Sequence, residues 1–305
     1  MKSPQISALV TNCSSLKSAP PSPGLVFADL APGPQDTVAQ RWLARVRAAS
    51  AIDRADTLYR GRGVLRLKRL AGRTRASLFV VSAGLGLLRA NTRIPSYDLS
   101  VSTTMPAAIQ KRVLGKFSAQ HWWASVQQSK FAAPIAEVFG GPPNGLVLLA
   151  LNSAYVPLVT QELSDLSGEQ RGRIRLFGAS DAKYSSELRA MLMPYDARLD
   201  RLVSGSKVDF AQRAAEHFIC GCEANSGFPT TLAAQRDWVE LELSRVVAPE
   251  VPKRRPADDN EIRRLAAKFA AQGVGQSRAL AILRREQGIA CEQGRFRRLY
   301  REVTR

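Results

Sequence analysis

Asp98 is the single carboxylate of residues 78–100, in a chain of net charge +18. It stands next to Tyr97, just past the apolar segment and glycine turn of LFVVSAGLGLLRANTRIPSYDLS, residues 78–100. A carboxylate so placed can stabilise developing positive charge or take a proton from water. It can equally cap the following turn, with Tyr97 packed in the core. Other apolar runs also end in small or polar residues. TNCSSLKS supplies Asn12, Cys13, Ser14 and Lys17, and SAGLGLL supplies Ser82, Gly84 and Gly86, where backbone amides can approach a ligand closely. NSAY supplies Asn152 and Tyr155, and GASD supplies Ser180 and Asp181. Polar residues gathered at the ends of four such runs indicate a pocket.

Those residues need elements to hold them. ISALVTN (6–12), SLFVVSA (77–83), GLVLLAL (145–151) and RIRLFGA (173–179) each read as a strand buried on both faces. Helical patterns lie between and after them, at 39–71, 106–130, 154–166, 209–222 and 231–247. The alternation predicts a three-layer α/β/α domain with a mostly parallel four-stranded sheet, whose ligands bind at the carboxyl ends of the strands. The Pro-rich, charged stretch 248–260 reads as a linker, dividing the chain into 1–249 and 250–305. The tail then predicts a small all-α helix-turn-helix domain. Asp258 or Asp259 can cap its first helix, Gly273 and Gly275 break it, and Ser277 can cap the second. Its last helix carries Arg295, Arg297, Arg298, Arg301 and Arg305, as expected of a helix that enters a DNA major groove.

Lys and Arg number 44 against 26 Asp and Glu, mostly as arginine, so a polyanion is the expected partner. Between Arg41 and Arg93 lie 13 basic residues and only Asp53 and Asp56 as acids. Arg60, Arg62, Arg66, Arg69, Arg89 and Arg93, with Lys17, are therefore expected to contact the DNA backbone. The four cysteines form no disulfide framework and fit a reducing compartment. The amino-terminal stretch lacks a signal-peptide core and no apolar run is long enough to cross a bilayer. The expectation is a cytoplasmic monomer with no membrane contact. His217, Cys220 and Cys222 fall short of a closed zinc site, so no metal is expected. His121–Trp123 in QHWW could stack on an extruded base or belong to the core. Neither GxxxxGK[ST] nor HExxH occurs, and no cofactor is expected.

The series TNCSSLKSAPP, LYRGR and LFVVSAGLGLLRANTRIPSYDLSV resembles bacterial domains of the uracil-DNA glycosylase-like fold. The resemblance, over about residues 6–182, extends to the related domain of archaeosine transglycosylases and more distantly to peroxide-stress DNA-binding proteins. It implies a nucleobase pocket, and the added DNA-reading tail suits relatives that excise modified bases in phage defence. On this reading the chain is a DNA glycosylase acting on double-stranded, possibly phage, DNA. Asp98 and Asn12 would then be catalytic, with Cys13, Ser82, Gly84, Gly86, Tyr97, Asn152, Tyr155 and Ser180 around the base. Uracil-DNA glycosylases place a water-activating Asp or Asn after the first strand; here Asn12 stands there, which can orient water but cannot act as a base. Two other readings remain open: a non-catalytic, stress-protective DNA-binding protein, and a base-exchange enzyme acting on RNA.

Overall fold

The computed structural model describes residues 4–103, 105, 107–178, 184–249 and 253–304. The chain forms two compact units, Met1–Ala248 and Pro249–Arg305. In the larger, strands β1 (Ile6–Asn12), β2 (Ser77–Ser82), β3 (Gly86–Arg89), β4 (Leu146–Ala150) and β5 (Ile174–Phe177) make one sheet in the order β3-β2-β1-β4-β5. Four strands are parallel. β3 pairs antiparallel with β2 at the edge, so the sheet has five strands rather than four. The extra strand arises where SAGLGLL reads as a turn: Gly86, at φ +83°, reverses the chain into a hairpin and LLR continues as strand.

The four parallel strands feed two cores, as the period of two requires, while Leu87 and Leu88 of the edge strand β3 both join the first. Ala8 and Val10 of β1, with Val147 and Leu149 of β4, face one core, while Leu9, Leu146 and Leu148 face the other. The first core is closed by α1 (Gln35–Ala48), α3 (Ala119–Val126) and α4 (Val156–Ser164). The second is closed by α2 (Arg62–Thr74), α5 (Phe210–Ala224) and α6 (Leu232–Ser244). The helical pattern at 39–71 is divided, because the chain turns extended at Ala49 and again at Tyr59 and Gly61. Of the pattern at 106–130 only α3 is α-helical. Gly115, at φ +86°, interrupts it before Ser118 caps the helix.

The smaller unit contains α7 (Asp259–Ala271), α8 (Gln276–Arg285) and α9 (Gln293–Val303) around Ile262, Phe269, Leu283, Phe296 and Leu299. Asp258 caps α7 through Glu261 N and Gly273 turns the chain at φ +70°. Gly275 rather than Ser277 precedes α8. The unit is not wholly helical, because Arg255–Pro256 pairs in parallel with Ile289–Ala290. Among the described residues, no helix is long and apolar enough to cross a membrane.

Candidate functional site

A cavity of about 640 Å³ opens at the carboxyl ends of the parallel strands. Asn12 at the end of β1 and Cys13 just beyond it, Asn152 and Tyr155 after β4 and Gly178 after β5 contribute to its wall. The first turns of α2 and α5 line it too, through Gly61–Val64 and Asp209–Gln212, as do Ser100–Ser102 and Ser206–Val208. Its size is that of a small-molecule or nucleobase site.

Asn12 holds the wall together. Its Oδ1 accepts from Asn152 N (3.1 Å) and Gln212 Nε2 (3.2 Å), and its Nδ2 donates to Cys13 O (3.0 Å). With both ends engaged, the side chain ties two strand ends to α5. Gln212, 1% exposed, was not foreseen from the sequence. Its Nε2 also reaches Ala150 O (2.9 Å) and Thr11 Oγ1 (3.2 Å), while its Oε1 is buried without a hydrogen-bond partner among the described residues.

Behind Cys13 lies a network that unites segments far apart in sequence. The thiol is 3.3 Å from Tyr155 Oη and 3.5 Å from Tyr97 Oη. Tyr97 Oη is 2.7 Å from Ser82 Oγ and 2.9 Å from Tyr59 Oη. Lys17 Nζ lies over the Tyr97 ring, 4.3 Å from its centroid. Burial raises the pKa values of Tyr59, Tyr97 and Tyr155, so these hydroxyls keep their protons at neutral pH. Burial lowers that of Lys17, against the opposing pull of Cys13 and Asp98. Thus the residues quoted for the family resemblance, Cys13, Lys17, Tyr59, Ser82, Tyr97 and Asp98, gather around one buried cluster. Only Cys13 of these six also lines the cavity.

The remaining expected base contacts divide. Ser82 is fully buried and accepts from Leu85 N (3.0 Å), and Tyr97 is equally enclosed, so neither faces the cavity. Gly84 gives space to aromatic side chains, since a Cβ there would lie 2.9 Å from Tyr97 Cε2 and 3.2 Å from Trp42 Cζ2. At Gly86 a Cβ would meet Gln127 Oε1 at 2.5 Å. These glycines serve packing and the hairpin, not close approach to a ligand. Ser180 and Asp181 lie outside the described residues. Trp122 and Trp123 are core, while His121 is exposed and pairs with Asp36 at 3.1 Å.

Asp98 is held by its backbone, which bonds Leu25 O and Phe27 N, each at 2.9 Å, and its residue does not line the cavity. Among the described residues the carboxylate in the wall is instead Asp209, just ahead of α5. Its Oδ1 accepts from Ser206 N (2.7 Å) and Ser206 Oγ (2.8 Å). Burial works against its charge, yet these bonds and the charges of Arg213 and Arg66 hold its pKa below the usual range.

Several arginines expected on DNA are engaged within the protein. Arg66 pairs with Glu216 and lies 3.9 Å from Asp209, and Arg69 reaches Glu216 at 3.4 Å, which ties α2 to α5. Arg89 pairs with Glu137, and Arg93 donates to Ile52 O (2.8 Å). Lys17 is half-buried over its tyrosine. Arg60 and Arg62 are exposed without an ion-pair partner among the described residues. In the smaller unit Arg295 and Arg298 hold Asp259 at 2.6 and 2.9 Å, whereas Arg297 and Arg301 project from α9 without such a partner among the described residues.

His217 Nδ1 is 2.9 Å from Tyr195 Oη, and its ring lies 5.3 Å from that of Trp238. Among the described residues no group of three His, Cys, Asp or Glu could hold a metal ion. No protein-family model, curated protein or solved structure matches the chain.

Proposed function

We propose that the larger unit is a DNA glycosylase that receives an extruded, modified base in the strand-end cavity and hydrolyses its N-glycosidic bond. The observation that carries this reading is the juxtaposition, around one cavity, of protonated Tyr155, in contact with the Cys13 sulfur, and ionised Asp209. Cleavage leaves electrons on the departing base and positive charge on the sugar. Tyr155 can donate a hydrogen bond to the departing base, and Asp209 can stabilise the sugar cation and accept a proton from water. Asp98 then bears on the site only through its charge, which favours the proton of Lys17. For the smaller unit we propose nucleic-acid binding in a helix-turn-helix manner, with Arg297 and Arg301 on phosphates.

The direct test incubates the full chain with duplexes that each carry one modified base, followed by detection of free base and alkali-labile sites. Release from at least one duplex is expected, and Asp209→Asn should slow it by about a hundredfold or more while Asp98→Asn leaves it near the wild-type rate. Binding of every duplex without release from any would overturn the enzyme reading. It would favour a non-catalytic DNA-binding protein, a reading helped by the ties of Asp209 to Arg213 and Ser206.

A further inference from the structure

The first turn of α2 faces the cavity through Gly61, Arg62, Gly63 and Val64. Among the described residues no side chain caps it, and its first intrahelical bond is Leu65 N to Gly61 O at 3.1 Å. The amide groups before Leu65 have no partner in the helix, and the dipole of a 13-residue helix adds positive potential there. The turn is drawn in tightly. A Cβ on Gly61 would lie 2.5 Å from Ser14 Oγ, and one on Gly63 would lie 2.9 Å from Gln212 Cδ. Arg62 and Lys207 line the same cavity, both exposed and without ion-pair partners among the described residues.

Gln212 supplies an independent sign of a ligand. Its amide nitrogen is fixed by Ala150 O, so the orphaned Oε1 faces the other way, where a Cβ on Gly63 would lie 3.0 Å from it. A buried acceptor without a donor among the described residues is costly, and because Gln212 lines the cavity, a ligand there can provide one once the side chain shifts toward it. The carboxylate nearby, Asp209, is balanced by Arg213 at 3.6 Å and Arg66 at 3.9 Å, which leaves Arg62 and Lys207 in excess.

We propose that the α2 turn, with Arg62 and Lys207, is a phosphate subsite that takes the phosphodiester next to the base in the cavity, while a base N–H or sugar hydroxyl donates to Gln212. The ligand class is thus a nucleotide unit, anionic at one end and carrying a donor at the other. This rests on the cavity being a nucleobase site, yet phosphate binding can be measured whether or not bond cleavage occurs.

The test titrates the full chain with each 2′-deoxynucleoside 5′-monophosphate and with the matching nucleoside, by calorimetry at low salt. At least one monophosphate should bind about tenfold or more tightly than its nucleoside, as charge-assisted bonds from a helix terminus and arginine imply. That gain should disappear in Arg62→Gln/Lys207→Gln, whose exposed side chains can be replaced without loss of folding, and persist in Arg47→Gln, remote from the cavity wall. Equal affinity for monophosphate and nucleoside, or a gain that survives the double substitution, would overturn the subsite. Failure to release a base from duplexes, with the phosphate gain intact, would instead remove the glycosylase reading alone.

Discussion

Replacing Tyr97 by Phe tests the buried network with little change of shape. The ring stays enclosed, with its edge-on contact to Trp42 at 6.0 Å between centroids, so the packing contribution is kept. The lost hydroxyl bonds Ser82 at 2.7 Å and Tyr59 at 2.9 Å. Ser82 retains Leu85 N at 3.0 Å, but Tyr59 is left with Ser82 Oγ at 3.4 Å, beyond the ordinary range for hydroxyl pairs. One buried hydroxyl is thus nearly orphaned, at a cost of about 1–3 kcal/mol. For a domain of this size, about 2 kcal/mol corresponds to a fall in Tm of roughly 4–8 °C. Calorimetry would measure the fall, and urea unfolding should show a lower midpoint with an unchanged slope. A Tm within about 1 °C of wild type would refute the account, because an orphaned buried hydroxyl cannot be that cheap.

Gly84→Ala should destabilise the larger unit by about 1–3 kcal/mol through collision with Tyr97 and Trp42; wild-type stability combined with weakened ligand binding would restore Gly84 to a ligand role. Arg66→Ala with Arg69→Ala should loosen α2 from α5, seen as faster amide exchange in both helices, because both arginines meet Glu216; unchanged exchange with weaker DNA binding would place them on the nucleic acid. Arg297→Gln with Arg301→Gln should weaken DNA binding and reduce its salt slope by about 1–2, whereas Arg295→Gln should chiefly lower the melting temperature of the smaller unit by removing one of the arginines that hold Asp259. Lys17 binds its proton more weakly folded than unfolded, since burial lowers its pKa below the ordinary 10.5. Its contribution is therefore complete above that value and is lost as pH falls through the depressed folded value. Unfolding free energies should move in favour of wild type relative to Lys17→Met as pH rises through this window, and a pH-independent difference would count against the burial.

The strand runs were legible because apolar residues continuous on both faces leave few alternatives, and β1, β2, β4 and β5 lie inside the four segments read from the sequence. The edge strand was hidden by its glycines: SAGLGLL reads as a loop until Gly86 proves to be the pivot of a hairpin. Glycine also misled at Gly84, since room for a ligand and room for a tyrosine ring have the same one-letter signature. Counting arginines measured charge without revealing that Glu216 and Glu137, distant in sequence, neutralise part of it. Asp209 and Gln212 were missed, although a Gln among the small buried residues of α5 is itself a signal that a polar group has work at the sheet.

The separation of the larger unit's two cores also divides its fluorescence. Trp42, Trp122 and Trp123 belong to one core, and Trp238 packs against the other. These are all four tryptophans of the chain. Indole emission therefore reports the two faces of the sheet separately once the first three are distinguished from the fourth by substitution or quenching. Two of the three, Trp42 and Trp122, donate their indole N–H groups to the successive carbonyls of Gly84 (2.7 Å) and Ala83 (2.8 Å), so their emission is sensitive to the hairpin turn. The smaller unit has Tyr300 as its sole tyrosine and no tryptophan, so its melting is silent at tryptophan excitation and is followed by tyrosine emission or amide signals.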